Sequence, residues 1–174
     1  AEPFPSHSSQ LGHMFPTPDT LRYSYLGGIL VENRTNVILV GQPSVGKTLL
    51  INHIHDTLDL DRSEVPRMRG DEPFVSVSMN FSRQTSAQNV EQALSSRLKR
   101  VEKNTFAPPA EKVLLAMIDD LNVPSKETFG AQAPIEHLRM WLDYGFWYDT
   151  KARPKIVNNI LFLCAMGPTG QDDG

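Results

Sequence analysis

The feature that most constrains the fold is a glycine-containing loop between two apolar segments. Residues 37–54 read VILVGQPSVGKTLLINHI, so four apolar residues lead directly into the pattern Gly-x-x-x-x-Gly-Lys-Thr. In such a loop the glycines let the backbone turn tightly, and successive N–H groups point inward, where they bind phosphate oxygens. Because a buried strand comes before the loop and an amphipathic segment after it, we predict a strand–loop–helix unit that binds a nucleotide.

Residues in this loop have distinct predicted roles. Lys47 would reach the β- and γ-phosphates, and the Thr48 hydroxyl would be a ligand of Mg²⁺. The helix that begins near Lys47 adds the partial positive charge of its N-terminus. The predicted nucleotide contacts in this stretch are Gly41, Gln42, Pro43, Ser44, Val45, Gly46, Lys47, Thr48 and Leu49.

A second stretch, VLLAMIDDLNVP at residues 113–124, supplies carboxylates for the same site. Its six apolar residues end in Asp119 and Asp120, whose side chains point in different directions because strand side chains alternate. We predict that Asp119 belongs to the magnesium shell and that Asp120 orients or deprotonates an attacking water. Asp120 is one methylene shorter than the Glu usual at such a position. Since a misplacement of about 1 Å can cost on the order of 100-fold in rate, the residues leave hydrolysis open.

Four short apolar runs predict the strands of the fold. They are residues 37–40, 74–81, 113–118 and 160–166. Segments of helical period lie between them, with apolar residues at Leu50, Ile54 and Leu58, at Val90, Leu94, Leu98 and Val101, and at Ile135, Leu138 and Leu142. Continuous apolar strands that alternate with amphipathic helices are typical of strands buried on both faces. We therefore predict an α/β fold of the P-loop NTPase class, a three-layer arrangement with a parallel sheet flanked by helices.

The sequence also predicts where helices begin and end. Thr17 would be an N-cap, followed by Pro18 at the first helical position. The run Thr85–Gln88 would form a capping box, and Gly145 would be a C-cap. The first helix is expected to carry one apolar face, formed by Leu21, Tyr25, Leu26 and Ile29.

Length and charge set further limits. The 174 residues suffice for one domain; we expect residues 1–16 to be flexible and residues 17–174 to form the domain. The net charge is −3 and the 17 Lys and Arg residues are scattered along the chain. Their densest stretch, Arg97–Lys103, is predicted to be a solvated helix face. We therefore expect no nucleic-acid partner. No apolar run approaches 18 residues, so we expect no membrane partner. Cys164, inside the run ILFLCAM, is predicted to be a buried small hydrophobe.

Five stretches between about residues 15 and 170 carry a resemblance to a known family. They are PTPDTLRYSYL, GQPSVGKT, VSMNFSRQTSAQ, IDDLNVPSKETFGAQAPIEHLRMWLDYGFWYD and CAMGPTG. Together they resemble the third AAA+ module of a dynein heavy chain in its ciliary, or axonemal, form. The third of these strings places Asn80 at the end of the second strand, where the family has a polar residue that can restrain the catalytic carboxylate. The first includes Pro16 and Thr17, which resemble the stretch that packs beside adenine.

The resemblance implies an AAA+ large subdomain, incomplete at its C-terminus because the chain stops before the last strand and the helical lid. It implies a microtubule-based motor located in the cytoplasm and cytoskeleton, in the axoneme of a cilium or flagellum. The implied partners are neighbouring AAA+ modules of the same heavy chain, microtubules through the full motor, and dynein intermediate and light chains. The module would regulate or contribute to movement driven by ATP hydrolysis.

Two departures from the family pattern bear on hydrolysis. Asp120 stands where a typical AAA+ ATPase has a catalytic Glu, and Gly167 falls where many relatives place a sensor Asn. The chain is therefore interpreted either as an ATPase module or as a non-hydrolysing structural module that holds ATP or ADP with Mg²⁺. A stand-alone P-loop kinase or GTPase is disfavoured, because the sequence contains neither a phosphoacceptor lid nor the Asn-Lys-x-Asp element that binds guanine.

Overall fold

A computed structural model describes residues 17–60, 74–149 and 152–168. The helices are α1 (Pro18–Glu32), α2 (Lys47–Leu60), α3 (Ala87–Ser95) and α4 (Ala133–Tyr144). The strands are β1 (Val37–Val40), β2 (Phe74–Asn80), β3 (Lys99–Arg100), β4 (Thr105–Ala107), β5 (Val113–Asp119), β6 (Phe146–Tyr148), β7 (Pro154–Val157) and β8 (Ile160–Met166). The predicted flexible segment, residues 1–16, lies outside the described residues.

The main sheet has the strand order β1-β8-β5-β2, and all of its neighbouring strands are parallel. These are the four strands that the apolar runs predicted, with ends that agree to within one residue. The two central strands, β5 and β8, are buried along residues 113–118 and 160–165. This burial on both faces explains why their sequences are continuously apolar rather than alternating.

Each face of the main sheet packs against its own set of helices. Alternate residues of β5 and β8 enter the two hydrophobic clusters in turn, as side chains in a strand must. The first cluster joins α1 and α2 to the sheet and includes Val31, Ile54, Leu115 and Leu163. The second joins α3, α4 and the shorter strands and includes Leu94, Leu114, Phe162 and Trp147. Cys164 lies in the second cluster, where burial raises the pKa of its thiol to about 12, as expected for a packing residue.

A second, smaller sheet was not predicted. Its order is β3-β4-β7-β6, with β4 and β7 parallel and the other two pairs antiparallel. It includes part of the stretch Arg97–Lys103, which we predicted as a helix face and which instead enters a hairpin. The predicted helical face through Leu98 and Val101 is wrong for the same reason, because α3 ends at Ser95.

Helix ends agree with the prediction in two of three cases. Thr17 caps α1 in a capping box with Thr20, and Gly145 ends α4 in the left-handed conformation, with its N–H on the carbonyl of Trp141. The third cap lies one residue later than predicted, since the capping box of α3 joins Ser86 and Asn89. Asn89, at the third helical position, completes the capping box because its side-chain oxygen accepts a hydrogen bond from the backbone N–H of Ser86.

The apolar face predicted for α1 is exposed. Leu21, Tyr25, Leu26 and Ile29 all lie on the surface, with Tyr25 74% exposed. The buried residues of the helix are Ser24, Gly27 and Val31. Gly27 explains the orientation, because a Cβ there would stand 2.5 Å from Cδ1 of Ile54, so the glycine side of α1 lies against α2. Of the described helices, none has both the length and the apolar character needed to cross a membrane.

Candidate nucleotide-binding site

The phosphate loop lies between the end of β1 and the start of α2, at the carboxyl end of the parallel sheet. Its backbone is in the left-handed region at Ser44 (φ 62°) and Gly46 (φ 88°). Gly41 is closely packed as well, since a Cβ there would lie 3.2 Å from Cγ2 of Val45. Turns of this kind direct consecutive N–H groups into one concavity, which is the geometry that binds phosphate.

The start of α2 adds to this concavity. The N–H of Leu50 donates to the carbonyl of Gly46 at 2.9 Å, so the helical ladder begins only there. The N–H groups of the preceding turn have no acceptor within the helix and are available to an anion. Pro43 and Ser44 form the exposed turn of the loop, Gln42 lies just before it, and Leu49 lies on the first turn of the helix.

Lys47 extends its side chain back over the loop. Its Nζ donates to the carbonyl oxygens of Gly41 and Gln42, both at 2.8 Å. The ammonium is thereby held beside the concavity by two neutral acceptors. A phosphate group bound in the loop would meet a positive charge that is already in place, and the role of Lys47 toward the β- and γ-phosphates stays a prediction.

The two predicted magnesium residues are in direct contact. The Thr48 hydroxyl donates to Oδ2 of Asp119, although 71 residues separate them in the chain. The other carboxylate oxygen, Oδ1, accepts the N–H of Asp120 at 2.9 Å. A hydroxyl and a carboxylate are oxygen donors of the kind that Mg²⁺ takes, directly or through water, so this pair fits the ion. Within the described part of the chain, no group of three or more His, Cys, Asp or Glu residues offers a separate metal site.

Asp120 lies one residue beyond β5, on the surface, with φ 55°. Asn80 ends the adjacent strand and is paired with Asp119 in the register of β2 and β5. Parallel strands place such paired side chains on the same face, so Asn80 is the neighbour of Asp119, the predicted metal ligand. Its predicted role toward Asp120 remains a prediction, as does the role of Asp120 itself.

A cleft of about 620 Å³ adjoins the phosphate loop between α1 and β1. Its lining includes Thr17, Tyr23, Leu26, Val45 and Gly46. Leu26, one of the four apolar residues predicted on the face of α1, therefore forms part of a wall beside the loop. Pro16, the other residue predicted near the base, lies outside the described residues.

Asn122 and Gln132 belong to this edge of the sheet and were not predicted. The Oδ1 atom of Asn122 accepts the N–H of Gly167 at 3.0 Å, directly after β8. Gln132 in turn donates to the carbonyl of Asn122 at 3.0 Å. In the sequence, the one feature that points to these two residues is their position in the polar stretch that follows Asp120. The sequence does not show that Asn122 contacts the end of β8, because this contact forms only in the folded chain.

Comparisons with known proteins agree with this geometry. The family described as the P-loop containing dynein motor region matches residues 3–173, nearly the whole sequence. The chain belongs to this family. The resemblance to dynein heavy chains is thereby confirmed, and the parallel sheet flanked by helices is the P-loop fold that the sequence predicted.

Several of the proteins similar to this chain are named as axonemal or flagellar dynein heavy chains. Dynein axonemal heavy chain 2 of Homo sapiens is 37% identical over 158 residues, and dynein axonemal heavy chain 1 of Rattus norvegicus is 40% identical over 158 residues. The dynein-1-beta heavy chain of the flagellar inner arm I1 complex of Chlamydomonas reinhardtii is 36% identical over 158 residues. The matches cover 89–90% of this chain, but the chain spans only 3% of the length of each relative.

Proposed function

We propose that this chain binds ATP or ADP together with Mg²⁺. The observation that carries the proposal is the contact between Thr48 and Asp119, which places both predicted metal ligands beside the phosphate loop. Lys47 lies at the same loop with its ammonium held by backbone carbonyls. Mg²⁺ would neutralise phosphate charge there, and the chain's own residues would bind and orient the nucleotide.

The adjoining cleft supports a nucleotide with a planar base. It opens directly beside Val45 and Gly46, so a phosphate group in the loop would leave the base within reach of α1. Tyr23 and Leu26 supply apolar surface, and Thr17 supplies a hydroxyl and backbone groups at the start of the helix. Pockets for small ligands commonly combine such apolar walls with a few polar groups. Adenine is the proposed base, since the sequence has no guanine-binding element.

For the larger protein, we propose the third AAA+ module of an axonemal dynein heavy chain. The module would regulate or contribute to microtubule-based movement in a cilium or flagellum. Its partners would be neighbouring AAA+ modules, microtubules, and intermediate and light chains. The support is the resemblance of the five sequence stretches together with the axonemal and flagellar names of the relatives.

The nucleotide proposal is tested by titration calorimetry with MgATP. Lys47→Ala removes the only charge in the loop, and we expect about a 10- to 100-fold loss of affinity, comparable to the loss of a charge-assisted contact to phosphate. Lys103→Ala is the matched control, because Lys103 lies in the exposed turn between β3 and β4. Equal affinity of the wild type and Lys47→Ala would contradict the proposal.

Hydrolysis is the second question, and two observations favour a module that only holds nucleotide. Asp120 is shorter than the usual Glu, and Gly167 has no side chain to orient a water. If Asp120 is the general base, single-turnover hydrolysis in the heavy chain should fall on the order of 100-fold in Asp120→Asn. No product from this site in the wild type would indicate the structural role instead, and equal turnover in both proteins would show that Asp120 is not the general base.

A further inference from the structure

The turn that follows β5 is held to β8 by one side chain. Asn122 accepts the N–H of Gly167 at 3.0 Å, and its Nδ2 lies 3.4 Å from where a Cβ on Gly167 would be. The amide therefore packs directly against the backbone at position 167. Leu121 adds a second link to the same strand, since its N–H donates to the carbonyl of Ala165 at 2.9 Å.

This turn determines where the carboxylate of Asp119 points. Asp120 has φ 55°, and in that conformation its N–H reaches back to Oδ1 of Asp119. The left-handed region is disfavoured for a residue with a Cβ, so the surrounding contacts must maintain it. One of these contacts is internal to the turn, where the N–H of Val123 donates to the carbonyl of Asp120 at 3.0 Å.

The same turn is fixed from its other side by Gln132. This residue is the N-cap of α4, yet its side chain makes no capping hydrogen bond. Its Nε2 donates instead to the carbonyls of Asn122 and Pro124. The start of α4 and the end of β8 thus both hold the backbone around Asn122.

We propose that Asn122 is the positioning residue of the magnesium site. It holds the turn in the conformation that keeps Oδ1 of Asp119 on the N–H of Asp120, and this leaves Oδ2 directed at Thr48. Asn122 acts through these residues and need not touch the ion. The inference rests on the proposed binding of nucleotide with Mg²⁺ at this site.

The test is the dependence of ATP affinity on Mg²⁺. The dissociation constant is measured by calorimetry with excess Mg²⁺ and again with EDTA, and the ratio of the two reports the coupling between ion and nucleotide. Groups that orient a metal ligand typically contribute about 10- to 100-fold to metal affinity. In Asn122→Ala we therefore expect this ratio to fall about 10-fold, while the affinity in EDTA stays within about 2-fold.

Two further variants make the experiment decisive. Asn158→Ala is the matched control, because Asn158 is an exposed asparagine that precedes β8 at its opposite end. It should leave the ratio unchanged. Gln132→Ala should lower the ratio by a smaller factor, and it decides the matter if Asn122→Ala does not fold.

The possible outcomes distinguish the positioning role of Asn122 from the proposed binding of MgATP on which it rests. A wild type that does not bind MgATP overturns both proposals. If the wild type binds MgATP but the ratio is the same in Asn122→Ala, only the positioning role is overturned. The same holds for an unchanged ratio in Gln132→Ala, where Asn122→Ala does not fold. An equal loss in Asn158→Ala also overturns it, because the effect would then not depend on the turn.

Discussion

The two faces of the main sheet are covered in different ways. On one face, α1 approaches α2 closely at Gly27, and the apolar residues Leu26 and Tyr23 remain at the cleft beside the phosphate loop. On the other face, α3, α4 and the small sheet enclose a cluster that includes Trp147 and Phe162. The first face keeps apolar surface accessible next to a candidate ligand site, and the second buries it.

Two polar side chains of the enclosed face, Trp141 and Lys155, have their partners within it. The indole N–H of Trp141 donates to the carbonyl of Val157 at 2.8 Å, and its ring meets Phe162 edge-on with the centroids 5.3 Å apart. Lys155 contacts Glu91 at 3.7 Å and lies 4.7 Å above the ring of Phe106. Because aromatic rings bury large areas, we infer that this face contributes more to stability and the open face more to binding.

The largest expected effect comes from the centre of the enclosed face. Trp147 is 0% exposed, and truncation to Ala should lower the free energy of unfolding by about 3–5 kcal/mol, through lost burial and the cavity left behind. Tyr148 follows it in the same strand at 51% exposure, so Tyr148→Ala should cost less than about 1 kcal/mol. Urea denaturation of the two variants checks the contrast. Similar losses would mean that the strand, rather than the buried ring, determines stability.

A smaller effect is expected on the open face, where two adjacent glycines form a natural comparison. A Cβ at Gly27 would stand 2.5 Å from Ile54, whereas one at Gly28 would have nothing within 4 Å. Gly27→Ala should cost about 1–3 kcal/mol because either the buried side chain of Ile54 or α1 itself must shift in a packed core. Gly28→Ala should gain about 0.5–1 kcal/mol, the advantage of Ala over Gly in a helix.

Thermal unfolding of both variants measures this difference. The cleft beside the loop offers a second measurement, since a shift of α1 should also weaken nucleotide binding in Gly27→Ala but not in Gly28→Ala. If both variants gain stability, the close contact between α1 and α2 is not a constraint on the fold.

The same glycines show what reasoning from sequence did not supply. Helical periodicity identified α1 and its apolar face but gave no sign that this face is exposed, since large apolar residues usually face the core. Here the residues that allow close approach, Gly27 and Ser24, determine which side is buried. Which side of α1 is buried depends on how α2 packs against it, and the sequence of α1 alone does not predict this.

The main sheet was predictable for the opposite reason. Its two central strands, β5 and β8, are buried on both faces and need uninterrupted apolar runs, which can be seen within each strand alone. The small sheet has strands of only two to four residues, and these depend on pairings such as Thr105 with Ile156, which are distant in the chain. Similarly, Lys47, Thr48 and Asp119 were found through motifs, whereas the contact of Asn122 with Gly167 exists only between loops.

The smallest expected effect is a pH dependence that also belongs to the enclosed face. His137 on α4 packs against Trp147 with the ring centroids 5.0 Å apart, and within the described residues its Nε2 is buried without a hydrogen-bond partner. Burial lowers the pKa of His137 below its ordinary 6.5; Glu91 acts in the opposite direction, and Lys155 adds to the lowering. The folded protein therefore binds fewer protons than the unfolded chain just below pH 6.5.

Above the pKa that His137 has in the unfolded chain, about 6.5, the residue is neutral in both states and does not change the free energy of unfolding. As the pH falls from there toward the lower pKa in the folded protein, the free energy of unfolding declines. His137→Phe keeps an aromatic ring against Trp147 and removes the titration, so its free energy of unfolding should decline less between pH 7 and pH 5.5. Urea denaturation at both values measures the difference, with His53→Phe on α2 as the control on the open face. The same decline in wild type and His137→Phe would show that other groups govern this pH range, and a change in His53→Phe alone would assign the pH sensitivity to the open face.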